Sequence, residues 1–376
     1  MHPIRVGLIY FPLDECNKPA RKAVLMFFRI CSIRRILLSL MTVAATLLPQ
    51  AATAASCKTQ SQMTAAERDA LSTAAHTMGS EVQSGDVQGL RANTIPAVAA
   101  DFSGIAGSID TLKPLVQQAT MTIDSLYLLD ASGEAPGSAR TDFYCGSPVV
   151  VMNFTELPPG SYALAILHAT GVAKPQQISL VLAATPDHRW MLGGFFSKPM
   201  TQAGHDGLWY WISARNYAQK NMNWDAWFYY RIAAESLDPV DFLSSPNLEK
   251  LQAEEDKVKP DNFPGANPLT VDAHGSSFQV TSIDSTTTFG PLDLEIHYRP
   301  DAAQTAQLRD PPTARKQVTE LMTALLAEHP DLPDAFHGIW VQADGGSASL
   351  FSLELPMDQI IAGGKSAAKA SGSQTP

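Results

Sequence analysis

Between Leu208 and Glu235 the chain reads LWYWISARNYAQKNMNWDAWFYYRIAAE, with four of its six tryptophans and four of its nine tyrosines. Ala214, Tyr217, Ala226, Tyr230 and Ala233 fall at spacings that set them on the facing stripes of two helices. Asn221-Met222-Asn223 supplies the turn, and Pro239 stops the second helix. Small residues let the helices approach, and tyrosines fill the gaps beside them. This much aromatic surface cannot all face inward on two helices, so the hairpin needs a cover.

Two covers are available. "SSPNLEKLQAEEDKV" predicts a third helix, with Ser245 as cap and Pro246 in its first turn. A neighbouring sheet is the other. Either way, most of these rings are expected to be core or packing between units. The remainder would form a partner groove, because Trp and Tyr combine contact area with a polar handle. The candidate groove residues are Trp209, Trp211, Trp224, Trp227 and Tyr229, and the expected partner is a protein. The spacing resembles a tetratricopeptide repeat with Tyr210 as its leading aromatic, although the closing proline comes one residue late. No second copy follows at that period, and such repeats normally need neighbours. The helical unit is placed at residues 204–259.

Upstream, residues 60–200 read as helices followed by strands. Thr64 and Glu67 form a capping-box pattern ahead of Leu71, Ala74, Ala75, Met78 and Val82. Gly85 ends that helix, Asp86 caps the next, and Pro96 starts a third through Ile105. After Pro114 come "ATMTIDSLYLLD", then "PVVVMNFTEL" and "SYALAILHAT", expected as a hairpin around Pro158-Pro159-Gly160. "QQISLVLAAT" and "WMLGGFFSKP" form another around Pro186-Asp187-His188.

This order resembles the cystatin-like, ketosteroid-isomerase-like fold shared with nuclear transport factors. "SGDVQGLRAN" is similar to that family's end-of-helix segment, and "RWMLGGFF" to its final strand. The resemblance implies a curved antiparallel sheet and, in the enzymatic members, a carboxylate base in an apolar pocket. Asp101, Tyr127 and His168 are the candidate pocket residues, with Asp124 beside them. Asp124 and Tyr127 are expected on opposite faces of their strand. Small-molecule binding, or isomerase-like chemistry, is therefore the alternative function. The fold alone does not choose.

"KPDNFPGANP" reads as a linker. Residues 270–360 then read strand, strand, helix, strand, strand, a small α+β sandwich. Its helix sets Val318, Leu321, Met322, Leu325 and Leu326 on one face. Residues 361–376 turn to Gly, Ser, Ala and Lys and are expected to be disordered. The fold class is thus α+β, comprising N-terminal helices with a curved antiparallel sheet, a central helical hairpin and the C-terminal sandwich.

Residues 1–54 read as a signal peptide with an upstream extension. Arg29, Arg34 and Arg35 precede an apolar run from Ile36 to Leu48, and Ala52-Thr53-Ala54 supplies the small-residue ending. That run is shorter than the about 20 residues a membrane-spanning helix needs, so no transmembrane segment is expected in the mature chain. Met26 would make a leader of ordinary length. Cys57 and Cys145 remain after processing, an even count for an oxidising compartment. Either they pair, or Ala54-Ala55-Ser56-Cys57 acts as a lipobox and Cys57 carries a lipid anchor. The expected location is periplasmic or secreted.

Removing residues 1–54 takes away seven of 27 basic and two of 37 acidic residues, which leaves a net charge of about −15. Nucleic-acid binding needs a basic footprint, and none appears after residue 35. No nucleotide loop, zinc-protease helix, cysteine pair at metal spacing or hydrolase elbow occurs. "EIH" and "AEHP" fall below a ligand signature. No cofactor, metal or catalytic residue is assigned. The expectation is an exported binding or assembly module, more in keeping with a non-enzyme.

Overall fold

The computed structural model describes residues 55–346 and 348–372. The leader reading lies outside the described residues. Helix α1 (Ala65–Ser84) opens with the expected capping box, in which the Thr64 side chain accepts from the Glu67 amide while Glu67 reaches back to the Thr64 amide. Gly85 closes it at φ 74°, a left-handed conformation that glycine adopts without strain. Asp86 caps α2 (Val87–Ala92). Pro96 starts α3 (Pro96–Ala100), and α4 (Ser103–Val116) follows separately. Pro114 does not end the helical region, since it sits in the last turn of α4.

Strands β1 (Ser56–Thr59), β2 (Thr120–Asp130), β5 (Ser161–Thr170), β6 (Gln176–Ala184) and β7 (Trp190–Pro199) form one antiparallel sheet in the order β1-β2-β5-β6-β7. The four helices cover one face, where Leu71, Ile109, Leu126, Leu167 and Leu180 are buried together. The hairpin expected between residues 150–155 and 161–170 does not form. Instead β4 (Val150–Thr155) pairs with β3 (Arg140–Cys145) and with the short β10 (Leu243–Ser244). This small sheet covers the second face of the first, through Phe143, Met152, Phe154, Leu164 and Ile166. Because β5 is apolar on both faces, it belongs in the middle of a sheet with cover on each side.

The Cys57–Cys145 disulfide is present, with an S–S distance of 2.04 Å, and ties β1 to β3 across the two sheets. Of the two fates expected for Cys57, pairing is the one this arrangement places.

Strands β8 (Thr201–Gln202) and β9 (His205–Asp206) lead into the hairpin of α5 (Gly207–Gln219) and α6 (Asn223–Leu237). Asn221 turns the chain at φ 61°. Ala214, Ala226 and Ala233 have no exposed surface. Helix α7 (Pro246–Val258) starts at Ser245, whose hydroxyl accepts from the Leu248 amide at 3.3 Å.

The last sheet runs β11-β12-β13-β14-β15, namely Leu269–Ala273, Ser276–Thr286, Asp293–Arg299, Gly338–Asp344 and Ser349–Pro356. Strand β11 is additional to the expected four. Strands β13 and β14 are parallel, joined through α8 (Ala302–Gln307) and α9 (Pro311–Glu328). The α9 face is as expected, with Val318, Leu321, Met322 and Leu325 buried. The boundary drawn between the helical unit and the sandwich separates no cores, because hairpin rings, α7, sheet and α9 share one apolar cluster. Of the tail expected to be disordered from residue 361, the described part, to residue 372, is helical. Helix α10 (Met357–Gly372) begins with Met357 and Ile360 buried in that cluster, and Gly364 lies against Thr323 of α9. Ala and Lys favour helix once such an anchor exists. No helix among the described residues is long and apolar enough to cross a membrane.

Candidate functional site

Four of the five candidate groove residues are core. Trp211, Trp224, Trp227 and Tyr229 are 5–8 % exposed. They do not line a groove, because the rest of the fold already covers them. Trp224 lies 4.0 Å from the His329 ring, and Trp227 lies 4.1 Å from Phe263, centroid to centroid. The Tyr229 hydroxyl donates to the Ala335 carbonyl at 2.8 Å, and the Tyr217 hydroxyl to that of Asp334 at 2.9 Å. The Trp211 indole donates to Glu254 at 2.7 Å, and Arg215 holds the same carboxylate with two further bonds. Burial pushes Glu254 upward, but the Arg215 and Trp211 hydrogen bonds win, and its pKa is lowered overall.

Trp209 differs. It is 39 % exposed and stands beside Leu208 at 54 % and Ile212 at 51 %. Leu208 and Ile212 are one helical turn apart, so with Trp209 they form an apolar ridge on the first turns of α5. The ridge is fixed from below. Asp206 caps α5 by accepting from the Trp209 amide at 2.8 Å. At Gly207 an added Cβ would lie 2.6 Å from Leu237 Cγ, so α5 sits close on α6 there. Polar neighbours His205 and Asn216 are exposed at its rim.

The candidate pocket is not assembled. Asp101 follows α3, on the helix-covered side, and its carboxylate accepts from the Ser103 hydroxyl. Tyr127 and His168 belong to the opposite face, because they alternate with Leu126, Leu128, Leu167 and Ala169, which face the helices. His168 bonds Gln177 at 3.1 Å and stands 3.8 Å from Asp124. A β-bulge between Ile123 and Ser125 shifts the alternation there. A concavity of about 420 Å³ beside Tyr127 is lined by Thr59, Ser61, Arg68, Asp124 and Ser125, and it includes neither Asp101 nor His168. Large apolar side chains fill the space between helices and sheet, where the family resemblance implies a pocket.

Two charged arrangements were not assigned from the sequence, although "EIH" belongs to one of them. Asp225 of α6 is fully buried, and neither carboxylate oxygen has a hydrogen-bond partner among the described residues. Burial, reinforced by Asp331 and Asp334, pushes its pKa up to about 7. On β13, Glu295 and His297 point away from the core. His297 bonds Glu295 at 3.3 Å and Asp344 at 2.9 Å, and Gln342 also donates to Glu295. The hydrogen bond to Glu295 outweighs burial and, with Asp344, lifts the imidazole pKa to about 9. Alternation in "DLEIHYR" is the signal that could have grouped these side chains; their partners come from β14 and carry no local signal.

Comparison with protein-family models, with curated proteins and with solved structures finds no match to this chain.

Proposed function

We propose that this protein is an exported binding or assembly module, periplasmic or secreted and without enzymatic activity. Its partner is a second protein that docks on the ridge of Leu208, Trp209 and Ile212. The observation that carries this reading is the ridge itself. Three large apolar side chains are exposed on a capped helix, while Tyr210, Trp211 and Tyr229 beside them are buried. An aromatic anchor ringed by polar groups is the composition of a binding hot spot. Export is supported by the leader pattern of residues 1–54 and by the Cys57–Cys145 disulfide. The acidic balance argues against nucleic acid as the partner.

The rival reading, a small-molecule protein or isomerase-like enzyme built on a cystatin-like unit, has less support. Asp101, Tyr127 and His168 would have to converge, but Asp101 lies on the helix-covered side of the sheet and Tyr127 and His168 on the other.

The test compares parent protein with a Leu208→Asp, Ile212→Asp double variant, each cross-linked in its native envelope and purified. The parent should recover a discrete protein partner that the variant loses, with unfolding transitions that coincide. Equal recovery by both proteins would defeat the ridge as the site.

A further inference from the structure

At the start of β13, Asp293 is fully buried on the side of the sheet that α9 does not cover. One of its oxygens, Oδ1, lies 3.1 Å from His337 Nδ1. The other, Oδ2, is buried and has no hydrogen-bond partner among the described residues. The His337 and Gly338 contacts compensate the carboxylate only in part, and a buried oxygen left without a bond is costly in a native fold. Glu354 of β15 brings a second, half-buried carboxylate to the same place. One donor atom from each of Asp293, His337 and Glu354 lies within 4.8 Å of the other two.

Gly338 forms the floor. A Cβ added there would lie 2.8 Å from Glu354 Oε1, 3.0 Å from Asp293 Oδ1 and 2.8 Å from the Leu355 carbonyl oxygen. Its φ is not positive, so glycine is required for space and not for backbone conformation. The space it leaves is where the two carboxylates converge. Among the described residues no Lys or Arg pairs with either of them. Two adjacent carboxylates in a largely water-excluded position call for a positive charge. The half-exposed His337 ring supplies one only when protonated.

We propose that Asp293, His337 and Glu354 bind one divalent transition-metal cation of the zinc type. The imidazole selects against Mg²⁺ and Ca²⁺, which prefer all-oxygen shells. Tetrahedral bonds of about 2.0–2.2 Å set donor atoms about 3.3 Å apart, so modest rotations of Glu354 and His337 close the set. Binding would replace the Asp293–His337 hydrogen bond and give Asp293 Oδ2 its missing partner. The solvent side at His337 leaves room for water as a fourth ligand. Asp293 on β13 and Glu354 on β15 flank β14, and His337 immediately precedes β14, so paired strands hold the ligands in place. In sequence the three residues lie far apart, which is why no spacing motif reveals them.

Calorimetric titration of tag-free, chelator-treated full-length protein with Zn²⁺ tests this. The expected result is one equivalent bound, at least tenfold more tightly than Mg²⁺ or Ca²⁺, with at least tenfold weakening in Asp293→Asn, His337→Ala and Glu354→Gln. Because His337 is exposed, His337→Ala keeps the fold even where Asp293→Asn does not. With Co²⁺ as probe, the visible absorption of the parent should change in His337→Ala. No Zn²⁺ binding by the parent, or a His337→Ala variant that binds as tightly with the same Co²⁺ spectrum, would overturn the proposal.

Discussion

Trp209 lies flat on His205, ring centroids 3.7 Å apart and planes 11° from parallel. The stack sets the indole upright at the start of α5 and leaves 39 % of Trp209 in solvent. An exposed aromatic held in one orientation loses little entropy when a partner covers it. The ring also meets the core at its edge, with centroids 5.0 Å from Tyr210 and 6.0 Å from Tyr229. Trp209→Ala should therefore cost clearly less unfolding free energy than the buried Trp224→Ala, which should cost about 3–5 kcal/mol. Denaturant unfolding of both variants checks this contrast. Equal costs would mean that Trp209 is a packing residue.

The small residues of the hairpin make a second test. Ala226 and Ala233 are fully buried, and α5 and α6 pack closely. Ala226→Leu should overpack the hairpin at a cost of about 1–3 kcal/mol. A melting temperature at or above the parent's would show that the helices can part without penalty.

Reduction should be costly as well. The Cys57–Cys145 bond spans 88 residues and joins two sheets. Its loss should destabilise the protein by roughly 2–4 kcal/mol, through the greater freedom of the unfolded chain. Thermal unfolding with and without reductant measures it. Identical melting temperatures, with free thiols confirmed, would refute the assignment.

Asp225 predicts a pH dependence with a definite sign. Its folded pKa of about 7 lies above the ordinary value of 3.8. The folded state therefore holds a proton that the unfolded state releases, and stability falls as pH rises from about 4 to about 7. Asp225→Asn should remove this slope. It should be more stable than the parent by about 2–4 kcal/mol at pH 8 and nearly equal to it at pH 4. Parallel pH profiles of parent and variant would show that Asp225 is not a buried acid.

His297 acts in a different window. Its pKa is raised from 6.5 to about 9 by Glu295 and Asp344. Its stabilisation is complete below pH 6.5 and is lost as pH rises through 9. His297→Gln should cost about 1–2 kcal/mol at pH 6 and little at pH 10. A cost that does not vary with pH would mean shape, not charge, is what His297 contributes.

What the sequence conveyed was chiefly local. The caps at Thr64, Gly85, Asp86 and Ser245 are readable because cap and partner lie within a few residues. The α9 stripe is readable because one helix carries the whole period. Pairing was less visible. The apolar run of β4 looks the same beside β5 or β3, and its partner β10 comes from just over 90 residues later, across the intervening sheet and hairpin. The aromatic hairpin shows the same limit. Helical period groups Trp209 with its neighbours, but only the docking of residues 329–336 and α7 decides that Trp224 is covered and Trp209 is not. Asp225 sits within an apolar run and carries no sign of burial until Asp331 and Asp334 approach it.

The central claim is that a protein partner docks on the Leu208–Trp209–Ile212 ridge. The most direct measurement places a photo-crosslinking residue at 209 or 212 in the native envelope, with a control at the exposed Asp256 of α7. The account predicts one discrete, light-dependent protein adduct from positions 209 and 212 and none from 256. Absence of an adduct at the ridge, or the same adduct from all three positions, would contradict it.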